Sequence, residues 1–187
     1  LELGYSYMSG LGLPAIAQPR LEELSRRIGE SSSLSVLDGP DIVYVNRVPV
    51  RRIMTVSITI GTRFPAYATS MGRVILAGLP QDELDAYLAE VDFKAYTPST
   101  IVEPEQLRAE IARVREQGFA IVDQELEPGL RSLAAPVHSP SGKVVAAVNV
   151  STQTVVHHLD ELHNSFLPAL IDTAELISAD LAATELF

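Results

Sequence analysis

The spacing of apolar residues changes period several times along this chain, and that succession limits the folds open to it. Between Ile16 and Ile28, the residues Leu21, Leu24 and Ile28 share one helical stripe, and Gly29 follows where a helix would stop. The period then falls to two. "SLSVLDGPDIVYVNRV" reads as two strands around the turn Asp38-Gly39-Pro40-Asp41. "MTVSITIG" sets Met54, Val56, Ile58 and Ile60 against Thr55, Ser57 and Thr59, as a half-buried strand does. Helical spacing returns at Gln81–Val91 and at Pro104–Gln117. The second has Pro104 in its first position, the stripe Leu107, Ile111 and Val114, and Gly118 as its stop. "FAIVDQEL" restores the strand period, and a hairpin follows around Ser139–Lys143. Its second arm is rich in small and β-branched residues, which predicts a central strand. From Val155 to Phe187 the tail reads as helix. Strands joined by hairpins, with helices outside them, predict an α+β fold built on an antiparallel sheet.

The 187 residues suit one domain, with or without an appended helix. At the front, Leu1, Tyr5 and Met8 form a separate helical piece, set off by Gly10, Gly12 and Pro14. The chain opens without Met and reads as part of something longer. The net charge of −10 argues against a surface that grips nucleic-acid phosphates. The one dense basic cluster, Arg47, Arg51 and Arg52, reads as a solvated loop. Cysteine is absent, which removes disulfides and thiol chemistry and fits a cytoplasmic location. Apolar runs such as Val144–Val148 are too short to span a bilayer, and no signal pattern is visible.

Few groups are arranged for bond-making chemistry. Ser70 has Gly72 behind it but Ala68 in front, so a nucleophile elbow fails. His157 and His158 are adjacent and His163 is off the i, i+4 spacing, so exposed helix histidines are the expectation rather than a metal site. No Gly-rich phosphate loop is present. Glu125 and Glu127 share a strand face and could look into one pocket. The stretch "RFPAYATSMGRVILAG" is more informative. Pro65 ends the strand pattern, and Thr69 or Ser70 can cap a helix running to Leu79. A helix start offers unpaired N–H groups and favours a carboxylate or phosphate. Tyr67 lies just outside it, and Ser132 and Asn149 on strands can add a polar lining. This describes either a pocket for a small organic anion or a capped helix packed on a sheet.

"GTRFPAYATSMGRVILAGL", "EPGLRSLAAPV" and "SGKVVAAVNVS", in this order, resemble the effector-binding domain of IclR-type transcriptional regulators. The form around Ser70 resembles the branch that responds to aromatic acids, the regulators of protocatechuate, β-ketoadipate and p-hydroxybenzoate catabolism. The resemblance implies a GAF-like antiparallel sheet flanked by helices and preceded by a linker helix. It places a linker and connection at residues 1–22 and the effector domain at 23–187. Complete members carry a winged helix-turn-helix upstream and form homodimers or tetramers, so operator DNA would be met by a module outside this chain.

Carried over by position, the resemblance implies effector contacts at Ser70 and Met71, at Ser132, and at Asn149 and Ser151. An acidic contact of the family falls near Val122 and Asp123; the aligned residue is Val122, which leaves Asp123 on the other face. Arg63, Tyr67, Glu125 and Arg131 join the candidates by polarity and proximity, Thr69 as a candidate cap of the helix and Gly72 through its amide. Arg63 and Arg131 have the alternative of pairing with Glu125 or Glu127. The implied mechanism needs no cofactor and no bond cleavage. A small aromatic or keto carboxylate rests on the amides of Ser70, Met71 and Gly72, with ring hydroxyls at Asn149 or Tyr67. An enzyme acting on a small acid, and a dimerisation module with a closed core, are the competing expectations.

Overall fold

The computed structural model describes residues 12–50 and 58–185. The expected helical piece at the front, and the strand expected at Met54–Ser57, lie outside them. The described chain opens with helix α1 (Leu13–Ile28), which crosses residue 22 without a break. Its stop is as the sequence predicts: Gly29 takes φ 74° and returns its N–H to Ser25. The strands are β1 (Ser31–Asp38), β2 (Asp41–Val48), β3 (Arg63–Pro65), β4 (Ala120–Asp123), β5 (Leu130–His138) and β6 (Val144–Gln153). They form one antiparallel sheet in the order β3-β2-β1-β6-β5-β4. The arm predicted to be central, β6, lies between β1 and β5. The expected α+β architecture is the observed one.

Helices cover both faces of the sheet. α1 and the long C-terminal helix α6 (Leu167–Glu185) bury one face; Leu13, Leu21 and Leu24 meet Leu34, Val36, Leu133, Val148, Leu170 and Ile177 there. On the other face lie α2 (Ser70–Ala77), α3 (Gln81–Glu90) and α4 (Pro104–Gln117), packed through Val74, Leu76, Leu107 and Ile111 over Ile42, Ala120, Ala134 and Ala147. Fully burying one such Leu or Ile is worth about 1.5–3 kcal/mol, so both layers are needed. The alanines let α2 lie close on β5 and β6. α2 itself is buried along its whole length.

Several strand and helix expectations change, and the strand read from "FAIVDQEL" ends at Asp123, where Gln124 takes φ 60°, so Glu125 and Glu127 share no strand face. The alternation does not continue through Ile58–Gly61. The chain turns there, Ile60 is 64% exposed, and the Gly61 N–H reaches back to the Tyr44 carbonyl at 2.7 Å. The C-terminal helical region begins at Leu159 rather than Val155, because Val156 and His157 both donate to the Gln153 carbonyl in a turn. A short α5 (Leu159–Glu161) and a π turn (Leu162–Phe166) lead into α6. His157 therefore precedes the helix. It sits half-buried against Phe166, between Glu30 and Glu161.

Candidate functional site

A cavity of about 720 Å³ opens between the sheet and the start of α2, a size suited to a small organic ligand. Strand period and register build its floor. Ser31 stands opposite Ser151, Ser151 opposite Ser132, and Ser132 opposite Val122, so one row crosses four strands. Asn149 lies two residues along β6 from Ser151 and so points to the same face. Ala68, Thr69, Ser70 and Met71 close the other side, and Phe64, Tyr96 and Leu126 contribute apolar wall. The structure thus brings Thr69, Ser70, Met71, Val122, Ser132, Asn149 and Ser151 together.

The start of α2 is capped from within. Thr69 is the N-cap, its hydroxyl accepting the Gly72 N–H at 3.0 Å and donating to the Ala66 carbonyl at 3.2 Å. The expectation that three consecutive amides hold a carboxylate is corrected here, because the Gly72 amide is already occupied. Gly72 instead lets α2 rest on the single 3-10 turn Ala66–Ala68: a Cβ there would lie 2.5 Å from the Ala66 carbonyl carbon.

The other sequence candidates stand outside the cavity, each with a physical reason. Tyr67 is 1% exposed and folds inward, its hydroxyl donating to the Lys94 carbonyl at 2.8 Å and accepting the Lys94 N–H at 2.7 Å. It supports the loop that carries Tyr96 rather than a ligand ring. Arg63 pairs with Asp38 at 2.6 Å and with Asp41, not with Glu125 or Glu127, and so pins β3 to the β1–β2 turn. Arg131 pairs at 2.8 Å with Asp123, its cross-strand neighbour, which takes both out of the candidate set. Glu125 forms a buried two-point pair with Arg73. Glu127 lies exposed at the cavity rim, so the two glutamates do not share a pocket.

Two cavity residues escape a reading by strand period, Tyr44 and Arg47. They are three positions apart on β2 and should face opposite sides. A β-bulge intervenes: Leu34 pairs with Asn46 while the next residue, Ser35, pairs with Tyr44. The extra residue restores both side chains to the cavity face. Arg47, read as part of a solvated loop, is half-buried and lines the cavity. Burial lowers the pKa of its guanidinium and pushes the Tyr44 hydroxyl up to about 12, with Arg47 and the Asn149 amide pulling the latter back. An unfolded tyrosine ionises near pH 10. Tyr44 therefore contributes stability that is complete below about pH 10 and is lost as pH rises toward 12. An ultraviolet titration of the protein against Tyr44→Phe is expected to show no Tyr44 phenolate at pH 10 while the fold persists. Ionisation there in the folded state would refute this.

Among buried side-chain atoms without a hydrogen-bond partner are Arg47 Nε, Ser70 Oγ and Asn149 Oδ1, each on a residue that lines the cavity. Buried polar groups are nearly always paired, so these exceptions make the space a candidate site; Ser35 Oγ, Asp38 Oδ1 and Asn46 Oδ1 are further exceptions away from it.

Residues 5–179 match the family described as bacterial transcriptional regulator IclR, C-terminal. The chain belongs to the IclR family. The Pca regulon regulatory protein of Pseudomonas putida is 45% identical over 172 residues, 91% of this chain and 59% of that protein. The chain thus spans about three fifths of that relative's length. A transcriptional regulator structure from Rhodococcus sp. RHA1 is 60% identical with a TM-score of 0.92, over 97% of this chain and 74% of its own. The inducer-binding domain of the transcription factor PobR from Acinetobacter, a double mutant in complex with 3-hydroxybenzoic acid, is 29% identical. Its TM-score is 0.83 over 88% of this chain and 97% of that one. The motif resemblance is therefore a membership, and the cavity lies within the IclR match.

Proposed function

We propose that this chain is the effector-sensing domain of a transcriptional regulator of aromatic-acid catabolism, and that its cavity takes a small aromatic carboxylate. One observation carries the reading: unpartnered buried polar atoms of Arg47, Ser70 and Asn149 surround one cavity whose remaining wall is largely apolar and aromatic. The Pca relative and the hydroxybenzoate complex of PobR support the ligand class. No bond is made or broken. The ligand favours one arrangement of an upstream DNA-binding module in a cytoplasmic homodimer or tetramer. Such coupling typically amounts to about 1–3 kcal/mol, roughly 5–150-fold in operator affinity. It demands that the ligand bind the two arrangements with different affinity.

Calorimetric titration with protocatechuate, p-hydroxybenzoate, β-ketoadipate and pyruvate tests the reading. Saturable binding of an aromatic acid, abolished by filling the cavity with Ser70→Phe, is the expected result. Silence from all four ligands with the chain folded would refute it and leave a domain that only assembles. Conversion of any of them to a product would restore the enzyme alternative.

A further inference from the structure

We propose that Arg47 selects the carboxylate in this cavity and Asn149 selects a hydroxyl on the same ligand. The effector class is then a hydroxylated aromatic acid rather than any small acid. This rests on the sensing role proposed above.

Two features of Arg47 point into the cavity. Among the described cavity-lining residues it is the only Lys or Arg. Among the described residues it forms no ion pair with a carboxylate, whereas Arg20, Arg63, Arg73 and Arg131 each hold one. Its Nη1 donates to the neutral Ser33 hydroxyl at 3.2 Å, and its buried Nε donates to nothing. A guanidinium does not neutralise itself by losing a proton, so its charge faces a cavity whose two lining carboxylates, Glu30 and Glu127, form no ion pair with it. A planar carboxylate answers both the charge and the fork of donors. The start of α2 is the weaker anchor, because Thr69 already occupies the Gly72 amide. Ser70 Oγ remains to support the bound group.

Asn149 asks for the opposite kind of atom. Its Nδ2 donates to Ser151 Oγ at 3.1 Å, which leaves a buried carbonyl Oδ1 with no donor. A carboxylate has no proton to give it; a phenolic O–H has. The two demands are separated in space. Arg47 lies opposite Ser33, and Ser33 opposite Asn149, so the residues stand two strands apart in one row. Two inter-strand spacings are about 10 Å. Tyr44, Phe64, Met71 and Val122 supply apolar and aromatic wall around the same space, where a flat ring fits.

The test is calorimetric titration of the chain, Arg47→Met, Arg47→Lys and Asn149→Leu with four ligands: meta- and para-hydroxybenzoate, benzoate, and the methyl ester of whichever hydroxy acid binds. Thermal unfolding without ligand accompanies each variant. Arg47→Met is expected to weaken the hydroxy acid roughly 10–100-fold. It should weaken the uncharged ester far less, since the ester keeps a carbonyl acceptor but has no charge to meet the guanidinium. Arg47→Lys should fall between, keeping charge but losing the fork. Benzoate should bind the unaltered chain more weakly than the hydroxy acid, and Asn149→Leu should erase that difference. The proposal is overturned if Arg47→Met binds the acid as tightly as before, or weakens acid and ester alike. It is also overturned if Arg47→Met melts well below the unaltered chain, which would make the arginine structural. If the unaltered chain binds none of the aromatic acids, the sensing role itself falls and this inference with it.

Discussion

Arg73→Ala is expected to lower stability by roughly 3–5 kcal/mol, the cost of breaking a buried ion pair and leaving one charge behind. Arg73 is 1% exposed. Its guanidinium holds both Glu125 oxygens, with Nη1 to Oε2 at 2.8 Å, while Nε donates to the Tyr67 carbonyl at 2.9 Å. Glu125 Oε1 also accepts the Ile101 N–H at 3.2 Å. Removing the arginine strands a buried carboxylate and a backbone carbonyl together. In a chain of this size each kcal/mol moves the melting midpoint about 2–4 °C, so a fall on the order of 10 °C is expected. Glu125→Ala should cost as much, from the other side. The double variant Arg73→Met, Glu125→Leu should melt above either single change, because two apolar side chains of similar volume leave no charge unpaired. Single variants within 1 kcal/mol of the unaltered protein would contradict this account. The pair also joins α2, which roofs the cavity, to the segment carrying Leu126 and Glu127 on its wall.

Gly72→Ala is expected to cost about 3 kcal/mol, at or beyond the top of the usual range for overpacking. The added Cβ would be forced into the Ala66 backbone, its carbonyl oxygen and Cα as well as the carbonyl carbon. A crowded side chain can rotate away, but here the whole of α2 has to lift from the 3-10 turn. That movement opens the floor contacts with β5 and β6 and shifts Ser70 and Met71 in the cavity wall. Gly72→Val should fail to give a cooperative melt. A Gly72→Ala protein that melts like the unaltered chain would show that the turn yields more easily than this packing implies. Glycine is thus placed here for close approach and not for a left-handed backbone, since α2 runs through it as regular helix.

Local chemistry made much of the fold legible. Pro104 and Gly118 bracket α4 at the limits that the sequence predicts, and the two hairpin turns fix the antiparallel pairing of their arms. The floor of the cavity was legible for the same reason. Asn149 and Ser151 share a face by simple alternation, and Ser132 arrives through pairing. What alternation could not show is a change of parity. The bulge in β2 depends on how β1 and β2 settle against each other, so Arg47 looked like a surface charge. Partner choice was equally hidden. Glu125 meets Arg73 across 52 positions of chain, and no local pattern announces that contact. Tyr67 reads as available because it borders a helix start, yet the Lys94 segment folds over it.

The bulge has a mechanical side. Beyond the extra residue, Asn46 and Arg47 are consecutive and, like any neighbours on a strand, serve opposite surfaces of the sheet. Arg47 faces the cavity, while the Asn46 amide donates to the Pro14 carbonyl and to Gln18 at 2.8 Å each, holding the first turns of α1. A trans peptide fixes their Cα atoms about 3.8 Å apart. Any tug on the arginine's backbone is therefore delivered, one bond unit away, to the asparagine that grips the leading end of α1. Every strand joins the two sides of its sheet in this way; what sets this pair apart is that both side chains are held, one by Ser33 on the cavity side and one by α1.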